Sequence, residues 1–162
     1  MNTILDQLKS DFFATNGFVF SNFVKESEGK EYAACRFALN DKSIIYRHAK
    51  ITPKKIGQFV TCWKRNSEGI TTPFDETDSI DFYLIPAATE NQLGLFVLPK
   101  AVLVQKGILS TTLKDGKRGF RVYPSWDKPQ SKQAIKTQAW QAKYFVDLNE
   151  TQAGNLIKSI LN

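Results

Sequence analysis

Strand-like and helical hydrophobic patterns alternate along this 162-residue chain, and this alternation limits the fold more than any other feature of the sequence. Residues 80–86 and 94–98 have the length and composition of buried strands, and we expect them to be neighbours joined by residues 87–93. No repeat, linker or low-complexity segment interrupts the alternation. The sequence therefore predicts a mixed α/β fold, with one domain spanning residues 1–162.

Four segments are predicted to be helical from apolar spacing or capping signals: residues 3–14, 52–65, 131–143 and a C-terminal helix capped by Asn149. The second of these predictions rests on Thr52 as an N-cap, followed by Pro53 at the first helical position. In that helix Ile56, Phe59 and Trp63 would form one apolar face. Residues 101–106 continue an apolar pattern that fits either a strand or a short helix.

The other apolar runs are predicted to be strands: residues 18–24, 32–39, 43–50, 107–113, 119–123 and 144–148. Asn40 and Asp41 form a turn signal between the second and third of these runs, which predicts a hairpin. A second hairpin is predicted to join the fourth and fifth runs through residues 114–117.

The charged residues are sorted into blocks along the chain. Residues 42–65 contain seven basic residues and no acidic one, and residues 66–99 contain six acidic residues and no basic one. Residues 100–143 contain ten basic residues against only Asp115 and Asp127, and the net charge of the chain is +6. Basic stretches interleaved with aromatic residues indicate a surface for phosphates and bases. We therefore expect a nucleic-acid partner, DNA rather than RNA.

The two cysteines, Cys35 and Cys62, lie in apolar stretches, and neither belongs to a CxxC pair. Because His48 is the single histidine, the chain lacks the roughly four nitrogen or sulfur ligands of a structural zinc site. We expect no metal or cofactor. Buried thiols suit a reducing compartment, so the predicted location is the cytoplasm. No apolar run approaches the roughly 18 residues of a membrane span, and no membrane partner is expected.

Several motifs, in order along the chain, resemble the MepB family of bacterial proteins. They are AKITPKKIGQFV at residues 49–60, FVLPK at 96–100, GKRG and RVYP at 116–124, and KTQAWQ at 136–141. The resemblance extends from about residue 32 to residue 145. It implies a restriction-endonuclease-like fold, in which helices flank a mixed central β-sheet, but it implies no specific activity.

Nucleases of that fold hold Mg²⁺ with an acid on one strand and an acid-x-Lys sequence on the next. The matching positions here are Asp81 and Lys100, and strand alternation places Leu98 where the second acid is expected. Because leucine cannot ligate Mg²⁺, we predict a degenerate catalytic motif and a protein that binds nucleic acid without cutting it. The alternative that remains open is an active Mg²⁺-dependent nuclease in which Asp78 or Glu90 replaces the missing acid.

The predicted nucleic-acid-binding residues are basic or aromatic and lie in the basic blocks: Arg47, Lys50, Lys100, Lys106, Lys117, Arg118, Arg121, Tyr123 and Trp126. We expect Lys50, Lys100 and Lys106 to line one face of the molecule, flanked by Arg118 and Arg121. In this interpretation Tyr123 and Trp126 stack on bases.

Other interpretations of these residues remain open. Tyr123 and Trp126 could instead close the core. Three residues of the 131–143 helix fit either recognition of base edges or capping of a sheet: Gln138, Trp140 and Gln141. The ligand could also be a small anion such as a nucleotide, held in a pocket edged by His48 and Trp126.

Overall fold

Short strands and helices alternate throughout residues 3–162, which are the residues that the computed structural model describes. The strands are β1 (Phe20–Lys25), β2 (Cys35–Leu39), β3 (Lys42–Tyr46), β4 (Lys50–Ile51), β5 (Gln58–Thr61), β6 (Trp63–Arg65), β7 (Thr71–Pro73), β8 (Phe82–Ala88), β9 (Leu93–Pro99), β10 (Gly119–Val122) and β11 (Phe145–Asp147). The α-helices are α1 (Ile4–Leu8), α2 (Lys100–Gln105), α3 (Lys132–Gln141) and α4 (Ala153–Leu161). A π-helical turn, Lys9–Phe13, continues α1, and 3₁₀ turns lie at Lys30–Tyr32 and Ala142–Tyr144.

The central sheet has six strands in the order β1-β2-β3-β8-β9-β11. Its neighbours are antiparallel except for β3 and β8, which run parallel, so the sheet is mixed as predicted. The hairpin β2–β3 turns at Asn40, whose left-handed conformation (φ 56°) suits a tight hairpin turn. The antiparallel pair β8–β9 confirms the predicted pairing of residues 80–86 with 94–98.

The predicted helix over residues 52–65 is wrong, because this segment forms turns followed by β5 and β6. Gln58, Val60 and Cys62 are buried while the residues between them are partly exposed, which is the period of a strand. Gly57 precedes β5 in a left-handed conformation (φ 86°) that would end any helix. A Cβ atom on Gly57 would lie 2.7 Å from the Tyr123 ring. The turn therefore also requires a residue without a side chain at this position.

The second predicted hairpin is also wrong. Strand β10 pairs with β5 and not with residues 107–113, which form a loop after α2. Backbone groups of that loop bond elsewhere: the Ser110 N–H donates to the Phe74 carbonyl at 2.8 Å. Residues 101–106 are helical. The C-terminal helix begins at Ala153 with Gln152 as its N-cap, and not at Asn149.

Apolar clusters cover both faces of the central sheet. On one face Leu95 and Val97 of β9 pack with residues of α1 and α4. On the other face Phe96 and Leu98 pack with α2 and with the three-stranded sheet β10-β5-β4. This division follows from the alternation of side chains along β9. It places the basic blocks that follow β3 and β9 on the face opposite α1 and α4.

None of the helices within residues 3–162 combines the length and the apolar character needed to cross a bilayer.

Candidate nucleic-acid interface

Two adjoining cavities of about 390 Å³ each lie beside α3. They share the side chains of Lys106, Gln133, Thr137 and Trp140, and we call the two together the α3 groove. The first cavity extends towards β10, and the second extends along the end of α2 and the loop that follows it.

All charged side chains that line the α3 groove are basic. They are Lys106, Lys117 and Arg121 in the first cavity, and Lys106, Lys114 and Lys136 in the second. Among the described residues no acidic side chain belongs to the lining. Concave surfaces lined by one sign of charge concentrate ligands of the opposite sign, so this groove favours polyanions.

Helix α3 supplies the polar wall of the groove. Gln133, Lys136, Thr137 and Trp140 follow the i, i+3, i+4, i+7 spacing that places side chains on one helical face. Ser131 caps the helix, since its Oγ accepts from the Ala134 N–H at 3.1 Å. Because polar residues occupy this face of α3, the helix has only a narrow apolar face.

Trp140 is the aromatic residue common to both cavities. The Lys106 ammonium lies 5.4 Å from the centroid of its ring, which is a cation–π distance. A cation held over an indole places a positive charge at the centre of the groove.

Two glutamines of α3 have structural roles. Gln141 is fully buried; its Oε1 accepts from the Tyr123 N–H at 2.8 Å and its Nε2 donates to the Arg121 carbonyl at 3.0 Å. The Gln138 amide donates to the carbonyls of Pro124 and Asp127. Of the interpretations left open, capping of strand and loop backbone fits both glutamines, while Trp140 faces the groove.

Replacing Gln141 with alanine is expected to destabilise the protein by about 2–5 kcal/mol, because the partly buried Arg121 carbonyl and Tyr123 N–H would lose their partners. Urea unfolding of the variant measures this loss. Gln133→Ala, at an exposed position of the same helix, is the control and should change stability by less than about 1 kcal/mol. Equal stabilities for the two variants would contradict the anchoring role of Gln141.

Arg121 and Lys50 share one face of the small sheet. Both residues lie directly opposite Phe59, one on each neighbouring strand. The Arg121 guanidinium also donates to Thr52 Oγ1 at 2.7 Å and to the Gly57 carbonyl at 3.0 Å, so it fixes the turn before β5. Lys50 is exposed, and its ammonium lies 4.8 Å from the centroid of the Tyr32 ring.

Five of the predicted binding residues, Lys50 and four others, lie outside the α3 groove. Arg47 is buried, and the Lys100 ammonium donates to the Asp78 carbonyl at 2.7 Å. The Arg118 guanidinium donates to the Thr71 carbonyl at 3.0 Å. Trp126 packs edge-on against Phe145, as the core-closing interpretation requires.

The structure thus brings together Lys106, Lys117, Arg121 and Tyr123, and does not place Lys50 and Lys100 in the same cavity with them. The sequence reasoning missed Lys136 as a groove residue. The polar stripe of α3, with one tryptophan at helical spacing, was the signal that could have identified it.

The degenerate catalytic positions lie at one end of the β8–β9 pair. The Lys100 N–H donates to the Asp81 carbonyl at 3.0 Å, so these two residues are opposite each other. The Asp81 carboxylate accepts from the Ser43 N–H at 2.7 Å. Leu98 is fully buried in the apolar cluster. The side chain of Leu98 offers no oxygen to a metal.

The two proposed replacement acids, Asp78 and Glu90, differ in their surroundings. The Asp78 carboxylate is paired with Lys64 at 2.7 Å and also accepts from the Asp75 N–H. Glu90 is exposed at the turn between β8 and β9. Within residues 3–162 no group of three or more His, Cys, Asp or Glu side chains is placed to hold a metal ion.

His48 and Trp126 do not edge a common cavity. His48 lines a cavity of about 660 Å³ beneath α1, with Cys35 and Tyr46. Burial lowers the pKa of His48, although the ring is bonded to the Ala49 carbonyl at 2.7 Å. Trp126 is not among the residues that line this cavity.

The two thiols are expected to be unreactive in the folded protein. Burial raises the pKa of Cys35 and of Cys62 to about 12 each. The thiolate fraction at pH 8 would then be about 0.01%, far below that of an exposed cysteine. Titration with a colourimetric disulfide reagent should detect both thiols only after denaturation. Rapid labelling of the native protein would contradict this expectation.

The comparisons with known proteins agree with the motif resemblance. Residues 26–147 match the MepB-like family. A crystal structure of MepB is similar with a TM-score of 0.81 and 34% sequence identity, over 93% of this chain and 100% of that chain. A bacterial homing endonuclease is similar with a TM-score of 0.42 and 12% identity, over 80% of each chain. A comparison with curated proteins gave no match. Since the family match covers most of the sequence and the likeness to MepB nearly all of it, the chain belongs to the MepB-like family.

Proposed function

We propose that this protein binds nucleic acid through the α3 groove without cutting it. The observation that carries the proposal is the uniform sign of the groove: of the side chains that the structure describes, five basic ones line it and no acidic one does. Lysines and arginines neutralise phosphates, and this sequence-independent attraction supplies most of the affinity of non-specific binding.

Neutral groups of the groove complement the charges. Trp140 offers a ring for base stacking, which contributes about 1–3 kcal/mol per base in proteins that bind single strands. Gln133 and Thr137 lie beside it and can donate or accept hydrogen bonds. Together with the lysines they form the combination of phosphate contacts and stacking surface that nucleic acids require.

The β8–β9 pair supports the proposal that the protein does not cleave nucleic acid. We infer a restriction-endonuclease-like arrangement, because helices cover a mixed sheet and Asp81 stands opposite Lys100 at the ends of adjacent strands. In that arrangement Leu98 occupies the place of the second metal-binding acid. One carboxylate alone holds Mg²⁺ poorly, because this ion gives up its water shell reluctantly.

Fluorescence titration with single-stranded and duplex oligonucleotides at two salt concentrations tests the proposal. Five phosphate contacts predict a slope of log K against log salt near −4.5 for duplex, or about −3.5 for a single strand. Duplex affinity should therefore fall about 500-fold between 50 and 200 mM salt. An affinity that does not change with salt would exclude the electrostatic groove.

A further inference from the structure

A second basic site lies away from the α3 groove, around Arg47. It is a cavity of about 160 Å³ between the end of β1, β2 and β6. Its charged lining consists of four basic and two acidic side chains: Arg36, Arg47, Lys64, Arg65, Glu26 and Glu28. Trp63 and Phe74 supply aromatic walls.

Three of these four cations have a carboxylate partner. Arg36 pairs with Glu26 at 3.1 Å, and Arg65 pairs with Glu28 at 2.6 Å. The third pair, at 2.7 Å, joins Lys64 to a carboxylate outside the cavity. Both lining acids are thus held by their own arginines, and the lining keeps an excess of positive charge.

Arg47 is the cation without a carboxylate partner among the described residues. Its side chain is 5% exposed, and it donates to Thr61 Oγ1 and to the Trp63 carbonyl, both at 2.8 Å. Both acceptors are neutral. The rings of Trp63 and Phe74 lie 5.6 Å from the guanidinium carbon. A guanidinium has five N–H donors, so these contacts leave donors free.

A buried charge is unfavourable unless an opposite charge or several hydrogen bonds compensate it. Two hydrogen bonds and two aromatic rings compensate the Arg47 charge in part, and an anion in the cavity would supply the opposite charge. The cavity volume limits the size of that anion. The cavity volume is about five times the volume that one water molecule occupies in the liquid. It lies below the 300–1,000 Å³ that is typical of pockets for drug-sized ligands.

We propose that the Arg47 cavity binds a phosphate-type oxyanion, either inorganic phosphate or the terminal phosphate of a larger molecule. Arg47 would supply the buried fork of donors, and Lys64, whose ammonium is paired with the Asp78 carboxylate, would add a partly neutralised charge at the partly exposed rim. The proposal does not depend on the α3 groove, because none of the groove residues lines this cavity.

The test is isothermal titration of the full chain with inorganic phosphate at constant ionic strength set by chloride. Wild type should bind phosphate saturably, with a matching rise in thermal midpoint that chloride does not produce. Lys64→Gln should weaken phosphate binding several-fold, because the rim loses a cation and the Asp78 carboxylate loses its partner. Lys158→Gln, on α4 and outside both the Arg47 cavity and the α3 groove, is the matched control and should bind phosphate like wild type.

Arg47→Lys keeps the buried charge but removes the planar fork, and it should also weaken phosphate binding. If this variant fails to fold, Lys64→Gln at the rim still decides the result. Equal effects of phosphate and chloride on wild type would overturn the proposal. Phosphate binding that is lost in Lys136→Gln, a variant of the α3 groove, but unchanged in Lys64→Gln would overturn it too, since the anion would then occupy the groove.

Oligonucleotides that carry a 5′-phosphate or a 5′-hydroxyl group distinguish the two sources of the anion. Tighter binding of the phosphorylated strand, with the difference lost in Lys64→Gln, would assign the cavity to a strand end. Equal affinities of the two strands, alongside saturable binding of free phosphate, would assign it to the inorganic ion or a small phosphate ester.

Discussion

Replacing Lys106, Lys117 and Lys136 together with glutamine is expected to remove most of the salt dependence of nucleic-acid binding. These side chains line both halves of the α3 groove, and each neutralised phosphate contributes about −0.9 to the duplex salt slope. The slope should therefore change from about −4.5 to about −1.8. Duplex affinity should then fall only about 12-fold between 50 and 200 mM salt, measured by fluorescence anisotropy.

The control for this prediction removes the same net charge elsewhere. Lys25, Lys30 and Lys158 lie on β1, on the 3₁₀ turn before β2 and on α4, and none of them lines the α3 groove. Their triple replacement with glutamine should leave the slope close to that of wild type. A control variant that loses as much affinity as the groove variant would show that net charge, and not the groove, governs binding.

Wild-type protein is expected to show no cleavage of plasmid or oligonucleotide with Mg²⁺ or Mn²⁺. The physical reason is that the Leu98 side chain provides no carboxylate for the ion. Leu98→Glu should destabilise the fold by about 3–5 kcal/mol, because the new carboxylate would be buried in an apolar cluster without a partner. Leu98→Met, which conserves volume, should cost less than about 1.5 kcal/mol.

Metal titration of the Leu98→Glu variant extends this prediction. If the inferred arrangement is right, Mg²⁺ or Mn²⁺ should recover part of the lost stability, because the ion would compensate the new carboxylate together with Asp81. Cleavage by the wild type that disappears in Asp81→Ala would contradict the non-catalytic proposal. It would then direct attention to Asp78 and Glu90 as sources of the second ligand.

Local patterns in the sequence determined much of the central sheet. The turn at Asn40, the apolar runs of β8 and β9, and the polar spacing of α3 each depend on interactions between residues close in sequence. Such interactions are visible in a sequence because side-chain period and turn residues reflect them directly. The mixed α/β class was predicted, and the family resemblance was recognised, for the same reason.

The segment from Thr52 to Arg65 shows where local patterns fail. Thr52-Pro53 suits a helix start, but the same residues also suit a turn, and the following residues have the apolar spacing of either structure. Pairing of β5 with β10, about 60 residues away, decides in favour of a strand. No window of neighbouring residues contains that information, because a strand is stabilised by its partner across the sheet.

The candidate site was likewise predictable from the sequence only in part. The basic blocks and their aromatic residues were evident in the sequence and predicted a polyanion surface. Only the tertiary structure decided which basic residues share a cavity: it placed Lys136 beside Lys106, buried Arg47 and turned Lys100 towards Asp78. The number and sign of the charges follow from the sequence alone. Contacts between residues that are far apart in the sequence determine which charges come together, because each charge needs an opposite charge or solvent in the folded chain.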